Sequence, residues 1–571
     1  MRLVKEADMR NPFTLSDEQL DRLNELHEKQ SSNKITKKES RERNDLIDQN
    51  MRGILIDDFI KVSERANIKP TDLTRDQWRA YSTKYESDVG RVFGSFGKMK
   101  QEFLSLSEDP YAHAHERSGK AARKTELYVV TSAVAGQSLN HDFWETLKHY
   151  CKVNSAKLIV LPVRPVYKKE DYFPSLIGEQ ADFFGGNYDF NSNLVAKDFQ
   201  LYPQQMIPTT GLGRYGQKGA SLIIASPKVF MEVKPVGNTK HPHMIHSTGV
   251  VTNPDNYAST RAGSMAAQDH KMAALVVETS GSFFNIRQLT WNEKKQGFYD
   301  VNKFYTKDSV KPYKVRGFVM GDLHAGHHNP AVLSQWVDVI NRTGAEFVFL
   351  HDAFDGTSIS HHADGDFYQL CRHRPEHLNT LEKELKHFCQ VLGQLNSDIG
   401  KSRLVMVPSN HPEWVQRYLR AAKYAFDPFN HLLALELAQA YIGQDMDPIQ
   451  YFVEKNCPEL KDQITWLRRQ DDFYIGNRQH AAHGDKSFKG MRGTIQRIES
   501  AYGCAIIGHG HSPRLFRDVA MVGTTTFLQA HYMNGEPSDW LNTSGLTDED
   551  GIVQLISVIN GKWTFFPKMF S

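Results

Sequence analysis

Five short motifs in the C-terminal half of the chain place acidic, amide and imidazole side chains directly after apolar runs. The first motif, FVMGDLHAGHH, contains Asp322 and His324. Because alternate residues of an extended chain point the same way, these two side chains are expected to converge on one point. The second motif, FVFLHDAFDG, contains Asp352 and Asp355. A carboxylate such as Asp352 can bridge two cations because each of its oxygens offers lone pairs.

The other three motifs add an amide and further imidazoles. LVMVPSNHPEW contains Asn410 and His411, RQHAAHGDK contains His483, and CAIIGHGHSPR contains His509 and His511. Oxygen and imidazole ligands without thiolate suit Mn, Fe or Zn rather than a structural zinc site. Two such cations about 3.5–4 Å apart can activate a water and hold phosphate oxygens. The pattern therefore indicates a two-metal phosphoesterase, against the alternative of buried histidines and turn aspartates with structural roles only.

The elements that must position these motifs are short strands alternating with helices from about residue 310 onwards. A mostly helical insertion at about 414–470 separates the third motif from the fourth. Upstream, the chain reads as strand 126–136, helix 141–154 and strand 156–165, a spacing typical of a parallel α/β unit. Further strands are predicted at 221–233 and 271–280.

The first 124 residues are polar and predicted to be helical. Amphipathic helices are predicted over 15–26 and over 51–68, the second ending before Pro70, with a helical pair over 71–103. The sequence thus predicts an α/β multi-domain chain. Its domains are a helical module at 1–124, an α/β domain of unassigned role at 125–305 and the phosphoesterase domain at 306–571.

Composition is that of a soluble globular protein, with 571 residues, a formal charge of +2, five cysteines and 25 histidines. The cysteines form no C-x-x-C pair, which is typical of reduced thiols in a cytoplasmic protein. No apolar run approaches the roughly 18 residues of a membrane span, and MRLVKEADMRNPF lacks the apolar core of a secretory signal. A cytoplasmic location and no membrane partner are therefore expected.

Two other patterns resemble functional motifs but are interpreted differently. Gly211, Gly213 and Gly216 spell G-x-G-x-x-G, yet they follow no strand and open no clear helix, which argues against a dinucleotide site. His241, His243 and His246 have ligand-like spacing, but a loop with satisfied or solvent-facing histidines is the favoured interpretation.

The N-terminal region contains a local resemblance to a small helical repeat found beside homing endonucleases and in other DNA-processing proteins. The residues that carry it are Trp78, Phe93, Gly94, Ser95 and Phe96. The resemblance implies a DNA-binding helical module, with Arg91, Lys98 and Lys100 near phosphates. A helical pair whose aromatic side chains only form a core remains the alternative.

The five C-terminal motifs together resemble the motif series of the calcineurin-like metallophosphoesterases over roughly 230 residues. That resemblance implies a sandwich of two mixed sheets flanked by helices. It also implies that Asp322, His324 and His511 bind one metal, that Asn410, His483 and His509 bind a second, and that Asp352 bridges them. His411 would assist the leaving oxygen, and Asp355 would orient His411. His351, Ser409 and Pro412 depart from the family pattern and leave the ligand set whole.

Several features favour DNA as the substrate. The motif region resembles SbcD-type repair nucleases, and the layout resembles large bacteriophage metallophosphoesterases, some of which degrade host DNA early in infection. The resemblance implies a Mn-dependent DNase, with Mg, Fe or Zn as alternative metals, acting in the host cytoplasm if the chain is phage-encoded. Arg468 and Arg469 end the insertion, and a basic stretch around the fourth motif would neutralise a polyanion; it comprises Lys486, Lys489, Arg492 and Arg497.

A phosphatase acting on phosphoproteins or nucleotides is the alternative enzyme, and a metal-containing DNA-binding or assembly protein without activity is a third. The sequence leaves open whether cleavage would be endo- or exonucleolytic, which sequence would be preferred, and whether the chain forms a homo-oligomer.

Overall fold

The computed structural model describes most of the chain beyond residue 124 and part of the region before it. The described residues are 17–31, 36, 38–47, 51, 55, 89, 98, 99, 125–164, 172–213, 215, 220–236, 243–360, 380–528 and 536–571. The chain divides into two compact units, Met1–Gly119 and Lys120–Ser571.

In the first unit, the described residues include a helix at Asp17–Ser31 and a helical stretch at 38–47. The two are joined by ion pairs from Arg22 to Glu42 at 3.0 Å and from Lys29 to Glu39 at 2.9 Å. The helix predicted over 15–26 corresponds to the first of them and extends further. The helices predicted over 51–68 and 71–103 lie outside the described residues apart from isolated positions. So do Arg91 and Lys100, whereas Lys98 is an exposed helical residue.

The second unit is an α/β structure. Its strands, in chain order, are β1 (Thr125–Val134), β2 (Lys157–Val163), β3 (Phe183–Phe184), β4 (Asn187–Asn191), β5 (Leu194–Lys197), β6 (Ser221–Ile224), β7 (Phe230–Lys234), β8 (His243–Ser247), β9 (Ala273–Ser280), β10 (Phe283–Thr290), β11 (Phe298–Asp300), β12 (Lys303–Tyr305), β13 (Val310–Pro312), β14 (Gly317–Val319), β15 (Phe347–Leu350), β16 (Arg403–Met406), β17 (Ile464–Trp466), β18 (Tyr474–Ile475), β19 (Arg478–Gln479), β20 (Ala505–Ile507), β21 (Arg514–Phe516), β22 (Val519–Met521), β23 (Thr543–Thr547) and β24 (Val553–Ser557). Its α-helices are α1 (His141–Asn154), α2 (Ser175–Gln180), α3 (Arg261–Gln268), α4 (Pro330–Thr343), α5 (Leu381–Asp398), α6 (Pro412–Arg420), α7 (His431–Gly443), α8 (Pro448–Asn456) and α9 (Ile495–Tyr502).

One sheet, which we call the site sheet, contains the strands that precede the first three motifs. Within the described residues its order is β17-β16-β15-β14-β23-β24, with β14 to β17 parallel and the last two strands antiparallel. Phe318, Val348 and Leu404 belong to a core shared with α4 to α8. Because side chains alternate along a strand, the neighbouring residues Val319 and Phe349 face the opposite side of the sheet.

The opposite side of the site sheet packs against a longer sheet, here called the long sheet. Within the described residues its order is β18-β19-β20-β22-β21-β7-β8-β6-β5-β4. Val319 and Phe349 of the site sheet share a core with Met231, Ile506 and Val522 of the long sheet or its margins. Two mixed sheets therefore face each other, and helices cover the outer side of the site sheet.

The long sheet also crosses the boundary predicted at residues 305 and 306. Strand β7 pairs with β21 through Phe230–Phe516 and Met231–Leu515. A third sheet of order β10-β9-β1-β2-β3, counted within the described ranges, packs through Val130 and Ile159 against the β5–β6 end of the long sheet. Regions 125–305 and 306–571 therefore share sheets and core within one compact unit.

The predicted strands differ from the observed ones mainly where proline or a turn interrupts an apolar run. The strand predicted over 221–233 is two strands, β6 and β7, because Pro227 lies between them and offers no N–H for a ladder. The strand predicted at the first motif ends at Val319, before Asp322. Among the described residues, no helix is both long and apolar enough to cross a membrane.

Candidate metal centre

The candidate centre lies in loops that follow the carboxyl ends of neighbouring strands. β14, β15 and β16 are parallel, so the loops that follow them leave the same edge of the site sheet. These loops are hydrogen bonded to each other: the Leu323 N–H donates to the His351 carbonyl at 3.0 Å, and the His324 N–H donates to the Asp352 carbonyl at 2.9 Å. The loops after β19 and β20 supply the remaining side chains and are joined by a bond from the Gly508 N–H to the His483 carbonyl.

Four of the seven predicted ligands have left-handed backbone conformations. Their φ angles are 44° at His324, 39° at Asp352, 69° at His509 and 54° at His511. This conformation costs about 1–3 kcal/mol at a non-glycine residue and persists only where the surroundings impose it. Turns, and not extended strands, therefore direct these four side chains towards a common point. Asp322 and His324 converge as predicted, but not through the alternation of an extended strand, since β14 ends before them.

The first predicted ligand group is assembled. Ligand atoms of Asp322, His324 and His511 all lie within 4.8 Å of one another. The Nε2 atoms of His324 and His511 are 3.1 Å apart, and His511 Nε2 is 3.1 Å from Asp322 Oδ2. Two ligand atoms at about 2.1 Å from one cation, at angles of 90–110°, would lie about 3.0–3.4 Å apart. The observed spacing suits a shared cation.

The second predicted group is assembled beside it. Ligand atoms of Asp352, His483 and His509 lie within 4.8 Å of one another. His483 Nε2 is 3.0 Å from Asp352 Oδ2 and 3.1 Å from Asn410 Oδ1. Ligand atoms of Asp322 and His483 also lie within 4.8 Å of one another, so the Asp322 carboxylate connects the two groups. Asp352, predicted to bridge the metals, is grouped here with the second set.

The charge balance of the centre favours a cation. Burial by itself would lower the pKa of His483, but the adjacent carboxylates of Asp352 and Asp322 raise this pKa to about 9. Burial opposes ionisation of Asp322, yet the hydrogen bond from His511 and the nearby His483 lower the pKa of this carboxyl. Two buried carboxylates thus remain ionised at neutral pH, and positive charge between them is stabilised.

The strongest local indication of a cation site is an unpartnered oxygen. Asp322 is fully buried, and its Oδ1 has no hydrogen-bond partner among the described residues. Leaving a buried charged acceptor unsatisfied costs free energy, whereas a coordinated cation would satisfy it. A Cβ at Gly508 would collide with this oxygen. The chain therefore keeps space beside Asp322 Oδ1, and the residues present fit a divalent metal.

The sequence did not predict a role for His351, which the structure places in the site. His351 is fully buried, its Nδ1 lies 3.2 Å from Nδ1 of His483, and its Nε2 has no partner within the described residues. Burial lowers its pKa to about 3, so the ring is neutral. Ligand atoms of His351, Asp322 and His483 all lie within 4.8 Å of one another. The position of His351 directly before Asp352 was the available sequence signal.

His411 lies at the rim of the first group, where α6 begins. Its ring stacks on Trp414 with centroids 4.1 Å apart and meets His324 edge-on at 4.6 Å. Its Nδ1 is 2.7 Å from the main-chain carbonyl of Asp355. A carbonyl only accepts, so Nδ1 must carry the hydrogen and Nε2 is the nitrogen available to a substrate.

Asp355 contacts a different histidine from the one expected. Its Oδ1 is 2.7 Å from Nδ1 of His324 but 3.6 Å from Nδ1 of His411, and its Oδ2 accepts from the Thr357 hydroxyl. The carboxylate therefore fixes the ring of His324, as carboxylates behind metal-bound histidines do. Asp355 positions His411 through its backbone carbonyl instead.

The predicted basic stretch is only partly available to a polyanion. Lys486 is 2.7 Å from Glu413, and Arg469 pairs with both Glu413 and Asp485 at 2.7 Å. Arg468 pairs with Asp445 at 3.0 Å.

Three of the predicted cations, Lys489, Arg492 and Arg497, have no acidic partner among the described residues, and Arg497 donates to the Arg492 carbonyl at 3.0 Å. Lys489 and Arg492 are exposed. They lie on a tight turn, with Phe488 and Met491 also exposed. The turn is fixed by a hydrogen bond from the Ser487 N–H to the Met491 carbonyl at 2.8 Å.

The two other patterns have structural explanations. His246 lies buried on β8 rather than in a loop, and its Nδ1 is 3.2 Å from the Ser247 carbonyl. His243, on the same strand, belongs to no candidate metal group among the described residues, while His241 lies outside them. Gly211 occupies a turn with φ of 81°, and Gly216 is outside the described residues.

Comparison with known proteins adds little to this geometry. No protein-family model matches the chain. No curated protein matches its sequence. Among solved structures, the chain is similar to the crystal structure of a Vps29 double mutant from Entamoeba histolytica, with 15% sequence identity over 29% of this chain and 93% of that chain. The TM-score is 0.19, which does not establish a shared fold, so the assignment of the site rests on its own geometry.

Proposed function

We propose that this chain is a metal-dependent phosphodiesterase that hydrolyses DNA with two divalent cations. The observation that carries the proposal is the pair of adjoining ligand groups, connected through Asp322, with the Nε2 of His411 at their rim. The proposed ligands are Asp322, His324, Asp352, Asn410, His483, His509 and His511. The motif series that resembles the calcineurin-like metallophosphoesterases supports the same ligand set and favours Mn.

The proposed chemistry divides the work between the cations and the chain. Divalent cations in such a site place positive charge on the phosphate oxygens and lower the pKa of the attacking water. Asp355 holds the ring of His324 through its carboxylate and that of His411 through its carbonyl. With both ring nitrogens protonated, His411 donates its Nε2 proton to the leaving oxygen and becomes neutral, so that this oxygen does not depart as an alkoxide.

DNA is proposed as the substrate because of the turn beside the fourth motif. Lys489 and Arg492 can neutralise phosphates, and an exposed aromatic ring such as Phe488 can stack on a base. A phosphatase acting on phosphoproteins or nucleotides is the second candidate. It is favoured by the pairing of Lys486 and Arg469 with acids, which reduces the positive charge beside the site.

The test is a panel of metals and substrates. Purified chain with Mn, Mg or Zn is given duplex DNA, single strands, bis-p-nitrophenyl phosphate and p-nitrophenyl phosphate. The proposal predicts cleavage of DNA and of the diester with a divalent metal and none with chelator. Fast release of phosphate from the monoester with intact DNA would favour the phosphatase instead.

A variant pair separates DNA binding from chemistry. Lys489→Glu should reduce DNA cleavage several-fold and leave diester hydrolysis unchanged, because only the polymer reaches the turn. Lys562→Glu, at another exposed lysine that follows β24, is the matched control and should alter neither activity. Equal loss of DNA cleavage in both variants would count against a specific role for the turn.

A further inference from the structure

Helix α7 presents large apolar side chains to solvent on the face opposite its core contacts. Leu432 is 82% exposed, Leu435 46% and Ile442 80%. The inward face of the same helix is also apolar, with Ala434 and Leu437 buried in the core shared with the site sheet. A helix that is apolar on both faces generally buries both of them.

The exposed residues follow the spacing of a helix-pairing seam. Leu432, Leu435, Gln439 and Ile442 are all exposed and are separated by three, four and three residues. Alternation of three and four is the a/d spacing of coiled coils, in which side chains interlock with those of a second helix. The face is therefore suited to another α-helix more than to an extended peptide or a sheet.

The spacing is also palindromic, which points to a second copy of the same helix. When two copies of α7 are antiparallel about a two-fold axis near Leu437, Leu432 of one copy lies opposite Ile442 of the other. Leu435 then lies opposite Gln439. An isologous interface requires such self-complementarity, and one polar residue in the seam fixes its register.

The charges around the seam do not oppose self-association. The seam itself contains no charged residue. The nearby acids Glu436 and Asp445 are paired within the chain, at 2.5 Å to Lys455 and 3.0 Å to Arg468. Two identical surfaces can therefore meet without setting unpaired like charges against each other.

The area of the surface is adequate for a specific contact. Phe426, 93% exposed, ends a 3-10 helix that contacts α7, and Phe429, 61% exposed, lies two residues before α7, so both add exposed apolar area next to this helix. At on the order of 150 Å² for each large side chain, the five apolar residues expose roughly 500 Å². Two copies would bury roughly 1,000 Å² from these side chains alone, which is the lower bound for a specific interface.

We propose that the exposed face of α7 is the interface of a two-fold homodimer, in which two α7 helices pack antiparallel. This inference is independent of the proposed phosphodiesterase activity. The helical insertion after the third motif contains α7. The outer face of this helix would then form the dimer, while its inward face packs against the core of the site sheet.

The test measures the oligomeric state of the full chain by sedimentation velocity over a range of micromolar concentrations. The native chain should be dimeric, and Leu432→Glu and Ile442→Glu should each raise the dimer dissociation constant at least about tenfold. Met206→Glu, at an exposed apolar residue elsewhere, is the matched control and should leave the dimer intact. Because these side chains are exposed, each variant should fold and hydrolyse the diester as the native chain does, whereas its melting temperature should lose the protein-concentration dependence that dimerisation gives the native chain.

Disulfide crosslinking tests the orientation. A chain with Leu432→Cys and Ile442→Cys together should form an intermolecular disulfide under oxidation, with the native chain as the background control. Leu432→Cys alone should not, because the two copies of position 432 would lie about 15 Å apart along the antiparallel helices. Efficient crosslinking of the Leu432→Cys single variant would overturn the antiparallel arrangement.

Three results would overturn the dimer itself. They are a native chain that is monomeric at every concentration, a dimer that survives both glutamate substitutions, and a monomer in which the thiol introduced by Leu432→Cys is protected from maleimide. The last result would mean that another segment of the same chain covers the face.

Discussion

At the scale of single residues, the centre combines metal ligands with a proton donor, and measurement can distinguish the two roles. Asp352 is buried and contacts His483, whereas His411 lies at the rim and contacts neither carboxylate of the two ligand groups through its ring. Removing a ligand and removing a proton donor should therefore have different consequences for metal content.

His411→Ala is expected to retain metal and to lose diester hydrolysis by about 10²–10⁴-fold, the usual contribution of general acid catalysis. Asp352→Ala is expected to lose metal as well as activity, because His483 and the second cation lose their carboxylate. Metal content by mass spectrometry and initial rates on the diester measure both effects. Equal metal loss in the two variants would contradict the assignment of His411.

Gly508 provides a second residue-scale prediction. In Gly508→Ala the new Cβ would collide with Asp322 Oδ1 and approach the His351 Cβ to 3.0 Å, so the space for the first cation would be lost. Bound metal and activity should fall at least about tenfold, with a lower melting temperature. Gly393→Ala, on α5 with no atom within 4 Å of its new Cβ, is the control and should keep metal. Full metal occupancy in Gly508→Ala would contradict the geometry.

At the scale of elements, the sequence predicted the strands that precede the site better than the turns that direct its side chains. Apolar runs before Asp322 and Asp352 correctly indicated β14 and β15, because buried parallel strands need such runs on both faces. The left-handed turns at His324 and His511 could not be predicted, because they are imposed by contacts between distant loops. The role of the Asp355 carboxylate was likewise set by where His324 lies in space.

Strand β8 yields an element-scale prediction about pH. Burial lowers the pKa of His246 to about 4, against about 6.5 in the unfolded chain. Below pH 6.5 the unfolded state binds a proton that the folded state resists, so stability falls as the pH falls. From pH 8 to pH 5 this one residue should remove about 2 kcal/mol from the free energy of unfolding.

The variant His246→Gln isolates that contribution. Between pH 8 and pH 5, the free energy of unfolding of this variant should fall by about 2 kcal/mol less than that of the native chain, as measured with denaturant. Identical pH dependence in the native chain and the variant would mean that His246 is protonated in the folded state.

At the scale of the whole molecule, buried polar contacts join the regions that the sequence separated into two domains. Arg287 on β10 pairs with Glu278 on β9 and with Asp300 on β11, at 2.6 Å to the latter. Glu278 also accepts from the Phe565 N–H, and Asp300 accepts from the Gln554 amide. Sequence periodicity cannot reveal contacts between positions so far apart in the chain. A boundary was therefore predicted at 305, although the regions on its two sides share a core.

Replacing Arg287 should destabilise the whole second unit. Arg287→Met leaves two buried carboxylates without their cation, and the free energy of unfolding should fall by about 3–5 kcal/mol. Arg316→Met removes an exposed ion pair with Glu346 and should cost less than about 1 kcal/mol. Denaturant unfolding of both variants measures the difference, and a loss below about 1 kcal/mol in Arg287→Met would contradict a structural role for the buried cluster.

Anomalous diffraction from crystals grown with Mn would locate the two proposed cations directly. We predict two anomalous peaks about 3.5–4 Å apart, one among Asp322, His324 and His511 and the other among Asp352, Asn410, His483 and His509. No peak between these side chains, in crystals whose Mn-supplemented protein is active on the diester, would contradict the account.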